Sequence, residues 1–221
     1  MPPKPPLKTR PSKALIAACR VFARVTSRLF WRIEFHGVEN IPDPSFGGFI
    51  IAANHQTYID PVWISIPVYH DVRYLAWDRA FEWPVLGTVI ERLGAMPVRL
   101  ERGSTYSSLR VSLQILKEGR AVMIFPEGER EFADGNLMKF RTGAVHLAAK
   151  SGVPILPVTI KGANKVWPRE QRIPRLRKVE IYYHPLIHAT KTPADNMSKQ
   201  LLNEKNDLLK QTILGPLIHS N

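Results

Sequence analysis

Residues 50–61 read IIAANHQTYIDP, and residues 121–135 read AVMIFPEGEREFADG. Each opens on an unbroken apolar run and stops abruptly at polar and turn-forming residues. A half-buried strand alternates apolar with polar, whereas a run apolar on both faces suits a strand covered by helices on each side. ILPVTI at 155–160 carries the same signature. Working outward, strands are expected over Gly48–Ala53, Val72–Ala76, Ala95–Arg99, Ala121–Phe125, Ile155–Ile160 and Val179–Tyr183. Helical patterns fall between them, near Pro61–Ile66, Thr105–Lys117 and Thr142–Lys150. This alternation predicts an α/β fold with a mostly parallel central sheet flanked by helices. Thr192-Pro193 is expected to open a last helix as N-cap and first helical residue, with Gly215 just beyond its end.

The 221 residues are enough for a core that needs no disulfide or metal staple. Apolar residues at 44% and charged residues at 23% exclude disorder of the whole chain. One cysteine, Cys19, excludes a disulfide framework and a cysteine-based zinc site. Lys and Arg total 31 against 19 Asp and Glu, a net charge of +12, which points to a polyanionic partner: nucleic acid, an anionic membrane surface or a phosphorylated substrate. The longest stretch free of charged residues, Pro44 to Ile59, has only 16 residues and contains Asn54, His55 and Gln56. It is no transmembrane helix. The N-terminal apolar run is short and broken by Arg20, unlike a secretory signal, so an intracellular protein is expected.

Residues 1–13, MPPKPPLKTRPSK, hold five prolines and four basic residues, and a disordered tail is expected there. Residues 14–33 change character. Arg20, Arg24, Arg28 and Arg32 recur every four residues, so on a helix they drift by only about 40° per step and form one stripe. Phe22, Phe30 and Trp31 lie among the apolar residues beside it. Two readings follow: an amphipathic helix in a membrane interface, or a helix packed on the domain with a solvated Arg face.

In α/β sheets, sites gather where strands end and loops begin. At the first such point Asn54-His55 ends a strand, and Asp60 follows five residues later, directly before Pro61. That order reads as a helix N-cap. It can also swing the carboxylate toward His55, fixing the ring's tautomer and stabilising an imidazolium. Cap with polar loop, or catalytic pair: the residues alone leave both open. At the second point, Pro126 and Gly128 place Glu127 and Arg130 on a tight turn, which is either a solvated acidic turn or a ligand-orienting pair.

Together, NHQTYID and FPEGER resemble the glycerolipid acyltransferase superfamily, which carries four ordered blocks. The first matches Asn54, His55 and Asp60. The second resembles WPVLGTVIERLGAMPVRLERGS, with Pro84, Gly87, Gly94 and Arg102 in place. The third matches Phe125 through Arg130, and the fourth Val153, Pro154 and Pro157. KFRTGA, with Lys139 and Gly143, is similar to the family's lead into a helix. The likeness covers roughly Phe35 to Ile160 and makes 34–221 the acyltransferase domain. Glu129 and Glu131 depart from it, standing where members often have Thr and Ser. Carboxylates beside a phosphate site repel the anion unless they point away or pair with Arg.

The resemblance implies transfer of a fatty acyl group from acyl-CoA or acyl carrier protein to the hydroxyl of a lysophospholipid such as lysophosphatidate, giving phosphatidate. His55 would be the general base and Asp60 its orienter. Asn54, Glu127 and Gly128 would shape the acceptor pocket, with Arg102 and Arg130 on its phosphate. No bound cofactor and no metal are expected; His184 and His188 have helical ligand spacing, but Pro185 intervenes. The place of work would be the cytoplasmic face of a membrane, with peripheral or monotopic attachment. A catalytically inactive lipid-binding protein of the same fold is the alternative. No nucleic acid is expected, because the cluster Arg169, Arg172, Arg175, Arg177 and Lys178 comes without an aromatic platform or a helix-turn-helix pattern.

Overall fold

The computed structural model describes residues 13–77, 81–84, 86–98, 105–130, 135–168, 171, 173–189 and 198–218. In chain order these form α1 (Lys13–Trp31), β1 (Glu34–His36), a 3-10 turn (Val38–Asn40), β2 (Ile50–Ala53) and α2 (Asp60–Ser65). Then come β3 (Val72–Trp77), α3 (Leu86–Arg92), β4 (Ala95–Val98), α4 (Thr105–Lys117) and β5 (Ala121–Ile124). The chain continues through α5 (Gly143–Ser151), β6 (Ile155–Lys161), α6 (Ala163–Val166), β7 (Glu180–Tyr183) and α7 (Lys199–Ile218).

The strands form one sheet in the order β1-β7-β6-β2-β5-β3-β4. Every pair is parallel except β6 with β7. The α/β fold with a mostly parallel sheet is as the apolar runs predict. β2 shows why: Ile50 and Ala52 enter one core with α4, α5 and α7, while Ile51 and Ala53 enter the other with Trp63 and Ala23. All four are fully buried, so neither face could carry a polar residue. The chain leaves β2 for β3 on one side and leaves β5 for β6 on the other. The crevice at the C-terminal ends of β2 and β5 is where ligands lodge in such sheets.

Two expectations about helix ends need correction. Asp60 is not the N-cap of α2: Ile59 holds that position, and no side chain caps the helix. The carboxylate is drawn back instead to N–H groups of the preceding loop. Gly215 does not lie beyond the last helix. α7 runs through it and Pro216 to Ile218, because buried Leu209 and Ile213 dock the helix on the body and packing overrides local propensity. Thr192-Pro193 lies outside the described residues.

Helix α1 docks through small residues. Ala23 and Ser27 are buried, and Trp31 packs edge-on against Trp63 at 5.4 Å. Its bulky residues face outward: Val21, Phe22, Val25 and Leu29 are 63%, 71%, 59% and 71% exposed. The arginine stripe divides. Arg20 donates to the Val68 carbonyl at 2.7 Å and lies over the Tyr69 ring, and Arg24 reaches the Tyr69 hydroxyl. Arg28 stays exposed on the helix, whereas Arg32, also exposed, falls outside the expected stripe, because the helix ends at Trp31 and Arg32 turns the chain at φ +43°. Among the described residues, no helix is long and apolar enough to cross a membrane.

Candidate active site

The loop after β2 turns sharply because its polar groups satisfy one another. Asp60 is fully buried and accepts from the backbone N–H groups of Gln56 (2.6 Å) and Thr57 (2.8 Å) at Oδ2. The Thr57 hydroxyl donates to Oδ1. His55 Nδ1 stands 3.0 Å from the same Oδ2. An ionised carboxylate can only accept, so the ring proton sits on Nδ1 and Nε2 carries a free lone pair. The imidazole stacks on Phe125, with centroids 3.9 Å apart, and its side chain is 17% exposed. His55 is thus held on one edge and one face, and solvent reaches it.

Three further residues set the position of this loop. Asn54 is buried and its amide pairs with both backbone groups of Ile160, donating at 2.9 Å and accepting at 2.7 Å. In effect a side chain adds one rung between the ends of β2 and β6. Glu127 is also buried; Oε1 accepts the His55 N–H and Oε2 the Met138 N–H, each at 2.8 Å. Gln56 bridges the Gly135 carbonyl and the Asn164 N–H. The two strand-end motifs, 72 residues apart, are therefore joined directly by the bond from His55 to Glu127.

Gly128 has φ +78°, which side chains rarely adopt, and an added Cβ would lie 2.7 Å from Arg141 Nε. That close approach places the exposed guanidinium of Arg141 on the FPEGER turn. Arg130 centres its guanidinium 3.3 Å from the Tyr58 ring, and Trp83 and Trp167 flank that ring at 6.1 Å each. Glu129 is exposed. Arg102 and Glu131 lie outside the described residues. The structure thus brings together His55, Asp60, Asn54, Glu127, Gly128 and Arg130. Sequence reading missed Thr57, Gln56, Tyr58 and Arg141, and it placed Phe125 in a motif without foreseeing its ring against His55. Of these, Thr57 had a local signal: a hydroxyl three residues before an acid is a common loop closure.

His184 Nε2 is engaged with Thr159 Oγ1 at 2.8 Å. Among the described residues, Glu34, His36 and Glu180 on β1 and β7 could offer metal donors. Lys178 Nζ already stands 2.8 Å from Glu34 and 3.5 Å from Glu180, a positive charge where a cation would sit.

A histidine held by a buried carboxylate at the C-terminal end of a central parallel strand is an arrangement with the chemistry to accept a proton, set on an α/β scaffold. The chain belongs to the acyltransferase family: residues 32–161 match the family model described as Acyltransferase. A chloroplastic 1-acyl-sn-glycerol-3-phosphate acyltransferase of Arabidopsis thaliana is 28% identical over 192 residues, 86% of this chain and 53% of that protein. One of Bacillus subtilis is 28% identical over 147 residues, 66% of this chain and 71% of that protein. The crystal structure of the 1-acyl-sn-glycerophosphate acyltransferase PlsC from Thermotoga maritima superposes with a TM-score of 0.73 at 26% identity, covering 95% of this chain and 82% of that one. The chain spans about half the length of the plant relatives it matches.

Proposed function

We propose that this chain transfers a fatty acyl group from acyl-CoA or acyl carrier protein to the free hydroxyl of lysophosphatidate, forming phosphatidate. The observation that carries the reading is the 3.0 Å His55–Asp60 pair, with the carboxylate buried and the ring open on its far side. His55 Nε2 takes the proton of the acceptor hydroxyl as its oxygen attacks the thioester carbonyl. Asp60 stabilises the imidazolium formed. The tetrahedral intermediate collapses, the carbon–sulfur bond breaks, and the thiolate recovers the proton from His55. Neither a covalent enzyme intermediate nor a metal enters this sequence. Glu127 and Asn54 hold His55 in place through backbone bonds, while Arg130 and Arg141, with Arg102, meet the acceptor's phosphate as fork-shaped donors.

The same reading places the chain on the surface of an anionic membrane, on its cytoplasmic face, in peripheral or monotopic attachment. The outward apolar face of α1, with Arg28 and Arg32, is suited to it. The test is an acceptor panel of glycerol 3-phosphate, lysophosphatidate and other lysolipids, each with acyl-CoA and with acyl carrier protein. Lysophosphatidate is expected to be preferred, and His55→Ala should cost about a hundredfold or more in turnover. A folded His55→Ala protein with near wild-type turnover removes the mechanism; preference for an unphosphorylated acceptor removes the arginine assignment.

A further inference from the structure

Residues 171–178 read QRIPRLRK, between α6 and β7, and contain no acidic side chain. Ile173 and Leu176 are 77% and 66% exposed, as open as the apolar face of α1, and Arg175 and Arg177 beside them are exposed too. The display is held in place from both ends. The Arg175 N–H donates to the Val166 carbonyl at 2.7 Å, and the Trp167 indole donates to the Gln171 carbonyl at 2.9 Å. The Trp31 indole donates to the Arg175 carbonyl at 3.2 Å, and the Val179 N–H to the Trp31 carbonyl at 3.2 Å. Trp31 is the last residue of α1, so the segment and that helix are joined through a single side chain and its own peptide group.

We propose that the segment 173–178 is a second membrane-insertion point, seating Ile173 and Leu176 among the acyl chains of an anionic bilayer with Arg175 and Arg177 at its head groups. It rests on the reading of α1 as a lipid-facing helix and adds what a helix lacks. A lone helix in an interface leaves the body free to roll about its axis; a second point fixed to its end sets one orientation. Branched aliphatic tips flanked by arginines match a surface that is negative outside and hydrocarbon within. Nucleic acid matches them poorly, since aliphatic tips neither stack on bases nor pair with phosphates. A second copy of this chain matches poorly as well, because a net charge of +12 opposes like faces.

The experiment uses the full chain and phosphatidylcholine vesicles with or without phosphatidylglycerol. In a Cys19→Ser background, Ile173→Cys carries an environment-sensitive fluorophore. A blue shift on adding anionic vesicles is expected, with quenching by lipids labelled in their acyl chains. The double variant Ile173→Ser with Leu176→Ser should lower vesicle partitioning by about tenfold or more. Its melting temperature should not change, since both side chains stand in solvent. Phe22→Ser with Leu29→Ser tests α1 separately. Loss of partitioning in that variant alone, with no blue shift at position 173, overturns the second insertion point and leaves the α1 reading intact. Full partitioning in both double variants overturns both. Partitioning unchanged by the loop variant, but binding to RNA or DNA reduced by it, also overturns the proposal.

Discussion

Replacing Asp60 by Asn removes one charge and keeps the shape of the side chain. The buried carboxylate meets four donors: the Gln56 and Thr57 N–H groups and the His55 ring at Oδ2, and the Thr57 hydroxyl at Oδ1. An amide can enter in two orientations. With its oxygen at the Oδ2 position, it accepts the same three donors, and its NH2 group donates to the Thr57 oxygen. Turned over, the NH2 group confronts those three donors, each left unmet at about 1–3 kcal/mol. The first orientation therefore prevails, the fold survives and His55 keeps its Nδ1 proton. The charge is what disappears. An imidazolium and a carboxylate 3.0 Å apart attract by about 5 kcal/mol at an effective dielectric near 20. With the proton about half transferred in the transition state, roughly 2–3 kcal/mol is lost, or about 30–150-fold in turnover. Thiol release from the acyl thioester measures this, and a thermal melt should stay close to wild type. Turnover within about threefold of wild type in a folded Asp60→Asn protein would remove the charge from the mechanism. A loss beyond about a thousandfold, with a lowered melting temperature, would show the amide turned over and the orientation argument wrong.

Glu127→Gln should act on the position of His55. One of its two part-buried backbone N–H partners loses its acceptor, at a cost of about 1 kcal/mol, and turnover should drop while the Michaelis constant for the acyl donor holds. Asn54→Ala strands both backbone groups of Ile160, so the urea midpoint should fall by the equivalent of about 2–4 kcal/mol; an unchanged midpoint would mean water replaces the amide. Stability should also respond to acid. Burial holds the His184 pKa below its ordinary value, and burial together with the Lys150 charge does the same for His146. The unfolded chain therefore binds protons first: stability is full above about pH 6.5 and declines as pH falls toward the folded-state values. Chemical denaturation at a series of pH values should show that decline, and His184→Gln with His146→Gln should flatten it.

The strands of the inner sheet were legible because burial on both faces leaves an unbroken apolar run, as in Ile50–Ala53. β1 was not, since three residues at a sheet edge, partly exposed, carry no such run. α3 was hidden by Pro84 and Gly87 within a segment read only as a motif. The His55–Asp60 pairing could be read from five-residue spacing and a following proline. Its geometry could not: Asp60 answers to N–H groups of its own loop, and a side chain's choice between loop and helix donors leaves no mark in composition. The Glu127 bonds were equally out of sight, because one partner is 72 residues away and both are backbone groups common to almost any residue. The division of the arginine stripe depends on Val68 and Tyr69, which only the packing of α1 on the body brings near.

The side-chain rung contributed by Asn54 gives the loop a built-in gauge. The Ile160 N–H donates to Asn54 Oδ1, one residue from His55, so deuterium enters that amide when Asn54 releases it. Its exchange rate therefore counts openings at the base of the loop, with no label attached and no reaction under way. An acceptor that orders the loop should slow this clock, and one that binds elsewhere should leave it running at the same rate.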